Sequence, residues 1–293
     1  MNWLALVCAL AACDQVFGLR STHALDAQYF DAPSDAPYSC PPIGTTPTFT
    51  ASLREQLPQA CASYTVATVD RAMAQCPEAS SVYYGPAGGP LAKAVIVLDV
   101  ATQEVEFMRI APEGDHAIAS LFDLTAEMYY IEQFQLMPDN AWHDVHLVLA
   151  LPFGGIVSYP LISTPSREPG AHVLVIQYNL YPTPSTLYEM VDDANPDPGQ
   201  PWHQQLAKVF DPATFSIVNG MSMTPDGLRN VFFMQAVVPA GAYYQDRATL
   251  GDAFSTPALL SNVPETSGTD PFMTEDCSRV YVSGLGAVFY VTQ

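Results

Sequence analysis

The chain has 293 residues, and 49% of them are apolar, so it is long enough and apolar enough to bury a sizeable core. Its 30 acidic residues and 10 Lys and Arg give a formal net charge of -20, which argues against nucleic acid as a partner because too few cations are present to neutralise phosphates. The 26 Pro and 17 Gly, together with 15 Tyr and 14 Phe, favour short strands joined by many turns.

Residues 1–12 predict an export signal. Trp3 to Ala12 form an apolar run that is too short to span a bilayer. The run ends in Leu10-Ala11-Ala12-Cys13, which resembles a bacterial lipobox, and this resemblance implies cleavage before Cys13 and acylation of that cysteine. It departs from the pattern in having no Lys or Arg before the apolar run. An ordinary cleaved signal and an apolar strand are the alternatives.

Residues 13–47 predict an acidic, Pro- and Ala-rich tether, followed by one domain over residues 48–293. Such a composition buries too little apolar surface to offset the entropy of ordering, so its acids are expected to be solvated. With a lipid on Cys13, the domain is expected in the cell envelope. It would then face the periplasm from the inner or outer membrane, or lie at the cell surface.

Four cysteines remain after the signal and the lipidated cysteine are set aside, and an even number in an exported protein predicts two disulfides. The sequence does not separate the three possible pairings, and free buried thiols are the alternative. We favour Cys61–Cys76, with residues 65–75 folded back as a short helix that closes a local loop. Cys40 would then pair with Cys277 and join the start of the domain to its last repeat.

The same five-residue phrase occurs twice near the C-terminus. Met223-Thr224-Pro225-Asp226-Gly227 is followed 50 residues later by Met273-Thr274-Glu275-Asp276-Cys277, and each phrase places a turn between two short apolar runs. Weaker copies lie upstream, where Gly114 and Gly170 hold the place of Gly227 at spacings of 56 and 57 residues. Cys277 takes the glycine position in the last copy. The predicted repeat turns therefore include Gly114, Gly170, Pro225, Asp226, Gly227, Glu275 and Asp276.

Each predicted unit also has a later apolar or aromatic strand, and residues 94–102 predict such a strand for an earlier, degenerate unit around residues 76–89. Four strands with their turns need ~40–55 residues, which is the observed spacing. Units of this kind bury their faces against one another, and radial closure leaves only short edges, as suits a monomer. The prediction is an all-β protein, a β-propeller of five or six four-stranded blades. Residues 48–53 would supply the fourth strand of the last blade, beside a third strand at 287–291. A β-sandwich is the alternative.

These turns and strands resemble the WD40-like Pro-Asp-Gly β-propeller repeats of the TolB type, as carried by bacterial lipoproteins. The resemblance is good over residues 220–293, partial over 91–219 and absent before. It implies a protein-binding scaffold in the cell envelope, without enzymatic activity and without a cofactor. The partner itself is not identified by the sequence.

Motifs for catalysis or metal binding are incomplete. Gly220-Met221-Ser222-Met223-Thr224 lacks the second glycine of a nucleophile elbow. His143 and His146 would face opposite sides of a strand, so we expect surface histidines rather than a metal pair. Asp193, Asn195 and Asp197 alternate as in a calcium loop, but interleaved prolines and a missing Glu make them weak calcium candidates at most.

An alternative function is an enzyme or a carbohydrate-binding module that uses the central pocket of the propeller. It would require acids or histidines that converge on the axis. The candidates are Asp99, Asp123 and Asp192, each in a different unit. His116, His172 and His203 have no neighbouring acid and nucleophile in the sequence that would suggest a triad.

Overall fold

The structure is a computed structural model that describes residues 40–56, 61, 63–67, 71–76, 81–153, 160–167, 170–177, 186–192, 201–209, 218–235, 239–263, 270–284 and 287–293. The predicted signal peptide, Cys13 and most of the predicted tether lie outside these residues. Within them, all regular secondary structure is β-strand. No helix long and apolar enough to cross a membrane is found in this described part of the chain.

Five antiparallel sheets follow one another along the chain, and each forms one blade of the propeller. Blade 1 consists of β2 (Ser63–Ala67), β3 (Arg71–Cys76), β4 (Ser81–Pro86) and β5 (Ala92–Lys93). Blade 2 consists of β7 (Gln103–Ile110), β8 (His116–Asp123), β9 (Met128–Leu136) and β10 (Ala141–Pro152), with β6 (Val95–Val97) added in parallel at its outer edge. Blade 3 consists of β11 (Leu161–Ile162), β12 (His172–Gln177), β13 (Thr186–Asp192) and β14 (Trp202–Val209).

Blade 4 consists of β15 (Val218–Met223), β16 (Arg229–Met234), β17 (Gly241–Asp246) and β18 (Ala258–Leu259). Blade 5 consists of β19 (Phe272–Met273), β20 (Arg279–Gly284), β21 (Ala287–Thr292) and β1 (Thr50–Gln56).

Blade 5 is completed by the first described strand of the chain. β1 pairs antiparallel with β21, and its register places Thr50 opposite Thr292 and Gln56 opposite Phe289. The first strands of successive blades contact one another in order, and β2 contacts β20 of blade 5, so the blades close into a ring. The predicted propeller and the predicted N-terminal clasp are confirmed, and the number of blades is five.

The middle strands of the blades are apolar on both faces because a blade packs against each side. Val173 and Val175 of β12 lie in a core cluster with residues of blade 2. Leu174 and Ile176 of the same strand lie in a cluster with residues of blade 4. Burying one such side chain stabilises the fold by about 1.5–3 kcal/mol, so these continuous apolar runs specify stacking between blades.

The repeated turns join the first and second strands of their blades. Gly114, Gly170 and Gly227 have φ values of 82, 83 and 69°, and Cys277 has a φ of 59°, so all four positions are left-handed. This conformation costs a residue with a side chain about 1–2 kcal/mol, which explains the preference for glycine. We call the end of the ring that carries these turns the turn face, and the end that carries the turn between β8 and β9 the opposite face.

The two strongest copies of the turn also share their side-chain hydrogen bonds. Thr224 Oγ1 donates to Asp226 Oδ1 over 2.6 Å, and Thr274 Oγ1 donates to Asp276 Oδ1 over 2.7 Å. Each Asp also accepts from the backbone N–H two residues later at 3.0 Å. The shared Thr-x-Asp spacing thus fixes the turn through local bonds, as in other Asx turns.

Two sequence predictions about blade 1 are wrong. β2 and β3 pair antiparallel where a short helix was predicted over residues 65–75, since β-branched Thr65 and Val66 favour a strand and Ser63 pairs directly with Gln75. Residues 94–102 do not form the third strand of that blade, a place that β4 takes. Only Val95–Val97 are a strand, and they extend the outer edge of blade 2.

The disulfides are Cys40–Cys277, with Cα atoms 4.9 Å apart, and Cys61–Cys76, with Cα atoms 3.9 Å apart. These are the pairings that the sequence analysis favoured. Residues 40–47, which were predicted to belong to the tether, pack on the domain instead. Arg229 Nη2 donates to the Pro41 carbonyl over 2.8 Å, and the Gly44 N–H donates to Asp246 Oδ2 over 2.6 Å. The tether prediction is wrong for these residues because a disulfide and hydrogen bonds to their backbone groups hold them on the domain.

Candidate functional site

The first strands of neighbouring blades are joined by hydrogen bonds that involve side chains. Arg109 Nε on β7 donates to the Ile162 carbonyl on β11 over 3.2 Å. Thr164, just after β11, exchanges two bonds with the backbone of Met223 on β15, at 2.7 and 2.8 Å. The Met273 N–H on β19 donates to Ser222 Oγ over 3.3 Å. The walls around the axis are therefore fixed by specific polar contacts as well as by packing.

A buried ion pair crosses the axis of the ring. Arg109 Nη2 contacts Asp270 Oδ1, and the two residues are 0% and 4% exposed. Arg109 belongs to blade 2, and Asp270 comes directly before the first strand of blade 5. These blades are not neighbours in the ring, so the pair spans the centre. Burial raises the pKa of Asp270 to about 6, although the adjacent guanidinium acts to lower it.

The three acids considered for a central pocket do not meet. Asp123, at the end of β8, accepts from the N–H groups of Thr125 and Ala126 at 2.8 and 3.0 Å in a turn on the opposite face. Asp99 follows β6 at the edge of blade 2, where its N–H donates to Asp144 Oδ2 over 3.3 Å. Asp192 ends β13 on the turn face. Charged groups do meet at the axis, but they are Arg109 and Asp270, which the sequence analysis missed.

A second buried charged cluster links blade 3 to blade 4. Glu189 Oε1 is 2.9 Å from His172 Nδ1 and 2.6 Å from Arg247 Nη1, and all three residues are at most 3% exposed. Arg247 Nε also donates to the Gly227 carbonyl over 2.9 Å. Burial acts to raise the pKa of Glu189, but the bonds from His172 and Arg247 outweigh it, so this pKa is lowered. Glu189 therefore links blade 3 to Arg247 of blade 4, and His172 contacts the same carboxylate from within blade 3.

Glu132 is a buried acid at the interface between blades 1 and 2. Its neighbours in β9, Tyr130 and Phe134, pack in the core cluster shared by these blades. Gln103 Nε2 donates to Glu132 Oε1 over 3.4 Å. Burial and the nearby charge of Asp144 raise the pKa of Glu132 to about 7. The folded protein therefore holds a proton at this site at pH values where the unfolded chain does not.

Glu132→Gln is expected to stabilise the protein at pH 8 and to have little effect at pH 4.5. The folded-state pKa is about 7 and the ordinary value is 4.5, so the charge destabilises the fold increasingly as pH rises through this window. Urea denaturation of both proteins at several pH values gives the difference in unfolding free energy. A difference that does not grow between pH 4.5 and 8 contradicts the assignment, and Glu127→Gln in the exposed turn is the control.

A cleft with a volume of about 410 Å³ lies on the turn face between blades 2 and 3. We call it the blade 2–3 cleft. Its lining side chains are mostly polar: His116, Gln133, Gln135, Val145, His146, Asp192 and Pro201. A shift in register between Asp144 and His146 of β10 brings both Val145 and His146 to this cleft. His143 lies outside the lining, where its Nε2 is 3.0 Å from Asp139 Oδ2.

The remaining candidates for chemistry gain no support. Ser222 lies buried within β15, and its Oγ accepts a backbone bond at the first-strand ring instead of standing on an exposed elbow. The weak calcium candidates Asp193, Asn195 and Asp197 lie outside the described residues. Within the parts of the chain that the structure covers, no group of three or more His, Cys, Asp or Glu is placed to hold a metal ion.

Comparisons with known proteins give structural likenesses at low sequence identity. No protein-family model matches the chain, and no curated protein matches it. A gluconolactonase from Xanthomonas campestris is 9% identical with a TM-score of 0.46, over 85% of this chain and 94% of that one. TolB from Acinetobacter baumannii is 10% identical with a TM-score of 0.43, over 79% and 54%.

A Lactobacillus plantarum protein is 12% identical with a TM-score of 0.40, over 76% of this chain and 63% of that one. This chain thus spans less than two thirds of the length of that protein. At such identities and scores, none of these likenesses assigns an activity or a partner to this chain. Its own residues establish an all-β, five-bladed propeller.

Proposed function

We propose that the protein is a non-enzymatic scaffold of the cell envelope that binds another protein and is anchored through a lipid on Cys13. Two disulfides support an oxidising compartment outside the cytoplasm. The lipobox-like Leu10-Ala11-Ala12-Cys13 supports the anchor. The observation that carries the binding role is an exposed apolar surface on blade 2, where Leu124 and Phe153 lie beside more deeply buried aromatic rings.

This surface, the blade 2 patch, lies on the opposite face and is formed by Phe122, Leu124, Tyr129 and Phe153. The three aromatic rings pack against one another. The ring centroids are 4.9 Å apart for Phe122 and Tyr129, 5.2 Å for Phe122 and Phe153, and 5.9 Å for Tyr129 and Phe153. Leu124 is 60% exposed and Phe153 is 40% exposed. The Phe153 N–H donates to the Glu127 carbonyl over 3.0 Å, which fixes the backbone beside the rings. The patch is therefore apolar, with Leu124 and Phe153 accessible and the rings of Phe122 and Tyr129 supporting them from the core.

A surface of this kind suits a protein partner. Clustered aromatic side chains are enriched at the centres of protein interfaces, where they supply contact area at a small entropic cost. Exposed apolar patches with polar surroundings commonly mark such interfaces. The net charge of -20 favours a partner whose own apolar contact is surrounded by Lys and Arg. We expect an apolar contact for affinity and an electrostatic attraction that speeds association.

An enzyme or a carbohydrate-binding module at the central pocket is the alternative. Its reactive or binding groups would have to be available at the axis. The charged groups that reach the axis, Arg109 and Asp270, are buried and paired with each other. This pairing favours the scaffold.

Photo-crosslinking in cells tests the proposed binding role. A photoreactive amino acid in place of Leu124 or Phe153 is expected to give one discrete adduct, because both positions would lie within the interface. Leu259, which is 42% exposed on the outer strand of blade 4, is the matched control and is expected to give none. Absence of adducts at Leu124 and Phe153, or the same adduct at Leu259, contradicts the proposal.

Fractionation of the same cells tests the anchor. Cys13→Ala removes the proposed acylation site, so the variant is expected in the soluble fraction while the wild-type protein sediments with membranes. Unchanged sedimentation of Cys13→Ala means that the anchor is not the lipid on this cysteine.

A further inference from the structure

We propose that the blade 2–3 cleft is a binding site for a small, neutral polyhydroxylated ligand of the saccharide class. This site is on the turn face, apart from the blade 2 patch, and it does not depend on the scaffold role. Its volume of about 410 Å³ falls within the range of small-molecule sites, ~300–1,000 Å³. The polar groups that line it come from two rigid sheets rather than from one loop.

The polar side chains from blade 2 form a compact set on one face of the sheet. Gln133 and Gln135 are two residues apart on β9, so they point to the same side. His146 lies directly opposite Gln133 on β10, and His116 lies directly opposite Gln135 on β8. Cross-strand pairs of this kind have Cβ atoms about 5 Å apart, so the four side chains form a continuous polar surface.

Two of these side chains have fixed hydrogen-bonding roles. The Nδ1 atom of His116 is 2.8 Å from Asp115 Oδ1, which favours a proton on Nδ1 and makes Nε2 an acceptor. Gln133 Oε1 accepts a 2.9 Å bond from Trp202 Nε1, which is only a donor, so the orientation of this carboxamide is determined. Trp202 itself is buried, and this holds Gln133 at the boundary between core and cleft.

The chemistry of the lining selects the ligand class. Amide and carboxylate oxygens and an imidazole nitrogen accept hydrogen bonds, while the amide NH₂ groups donate them. A hydroxyl both donates and accepts, so a ligand rich in hydroxyl groups matches such a mixed surface. Asp192 is the one carboxylate among the lining residues, and it disfavours anions, as does the net charge of -20. A neutral polyol therefore fits better than a phosphate or a carboxylate.

Titration of the full chain in detergent with N-acetylglucosamine, maltose and trehalose tests the site. Imidazole NMR signals of His116 and His146 are expected to shift with one of these probes at concentrations up to about 10 mM. Gln135→Ala and His146→Ala are expected to weaken binding by about tenfold or more, because each side chain is half-buried in the lining. Leu147→Ala is the matched control, because Leu147 is exposed on the same strand, lies opposite Glu132 on the other face and is outside the lining.

Three outcomes overturn the proposal. One is the absence of a His116 or His146 shift with all three saccharides. Another is an unchanged affinity in both Gln135→Ala and His146→Ala, with folding verified by thermal denaturation. The third is tighter binding of inorganic phosphate or gluconate, since this means that the cleft selects anions. Crosslinking at Leu124 reports on a different face, so failure of one proposal is distinguishable from failure of the other.

Discussion

Arg109→Met is expected to lower the free energy of unfolding at pH 7.5 by about 3–5 kcal/mol, because it leaves the Asp270 carboxylate buried without its cation. Asp270 is 4% exposed, so water does not replace the lost guanidinium. The Ile162 carbonyl also loses its donor. Urea denaturation at constant ionic strength measures the loss. A loss below about 1 kcal/mol would show that the pair is not a buried structural contact.

Two variants sharpen this test. Arg109→Met with Asp270→Asn removes both charges and is expected to recover most of the loss, as replacement of whole buried pairs often does. Arg167→Met removes an exposed pair with Glu275, 2.6 Å apart, and is expected to cost about 0–1 kcal/mol because solvent screens it. If Arg167→Met and Arg109→Met lower the free energy of unfolding by the same amount, burial does not determine how much each ion pair contributes.

The loss in Arg109→Met is also expected to depend on pH. In the wild-type protein the pKa of Asp270 is about 6 in the fold against an ordinary value of 3.8, so folding favours the protonated acid between these values. Acidification through this window relieves the buried charge, and removal of Arg109 raises the pKa further. The destabilisation is therefore expected to be largest at high pH, to shrink as pH falls towards 6, and to stay constant below 6, where Asp270 is protonated in both folded proteins. If the difference in unfolding free energy between the wild-type protein and Arg109→Met grows on acidification, the expected pH dependence is wrong.

Loss of the Cys40–Cys277 bond is the other large expected effect. The two cysteines are 237 residues apart, and the chain-entropy estimate for such a loop is about 5 kcal/mol, against about 3 kcal/mol for the 15-residue separation of Cys61 and Cys76. Cys40→Ala with Cys277→Gly is therefore expected to lower the free energy of unfolding more than Cys61→Ala with Cys76→Ala. Denaturant unfolding without reductant measures both, and the reverse order would contradict the role of the clasp.

The residue chosen at position 277 gives an internal control. Its φ of 59° is left-handed, as at the glycines of the other turns. In the Cys40→Ala background, glycine at 277 is expected to be about 1 kcal/mol more stable than alanine, because only glycine adopts this conformation without a steric cost. Equal stabilities would mean that the turn relaxes when the disulfide is absent.

The blades could be predicted from the sequence because their turns are built from contacts between residues that are close together in the chain. Thr224, Asp226 and Gly227 bond within one turn, so the pattern appears in the sequence itself. The clasp was also predictable, since a third strand at 287–291 implies a missing fourth. The helix predicted over residues 65–75 was wrong because a short apolar segment has no period long enough to separate helix from strand.

The charged clusters were not predictable because their members are distant in the chain. Arg109 and Asp270 are 161 residues apart, and each lies at the start or end of an apolar segment without a local signal. Arg247 reaches Glu189 from the next blade, 58 residues away. The blade 2–3 cleft was missed for a related reason, since its lining depends on how β8, β9 and β10 align and on which blade packs beside them.

The N-terminal strand of blade 5 also imposes an order on biosynthesis. β1 and Cys40 precede the other four blades in the chain, whereas β21 and Cys277 follow them. A chain that folds from its N-terminus therefore carries an unpaired β1 and a free Cys40 thiol until the last blade is available. Contacts this distant in sequence form late and slowly. The Cys40–Cys277 bond, formed when an external two-electron oxidant acts on the two thiols, thus shows that the ring has closed. Mixed disulfides at Cys40 would mark the chains that failed to close it.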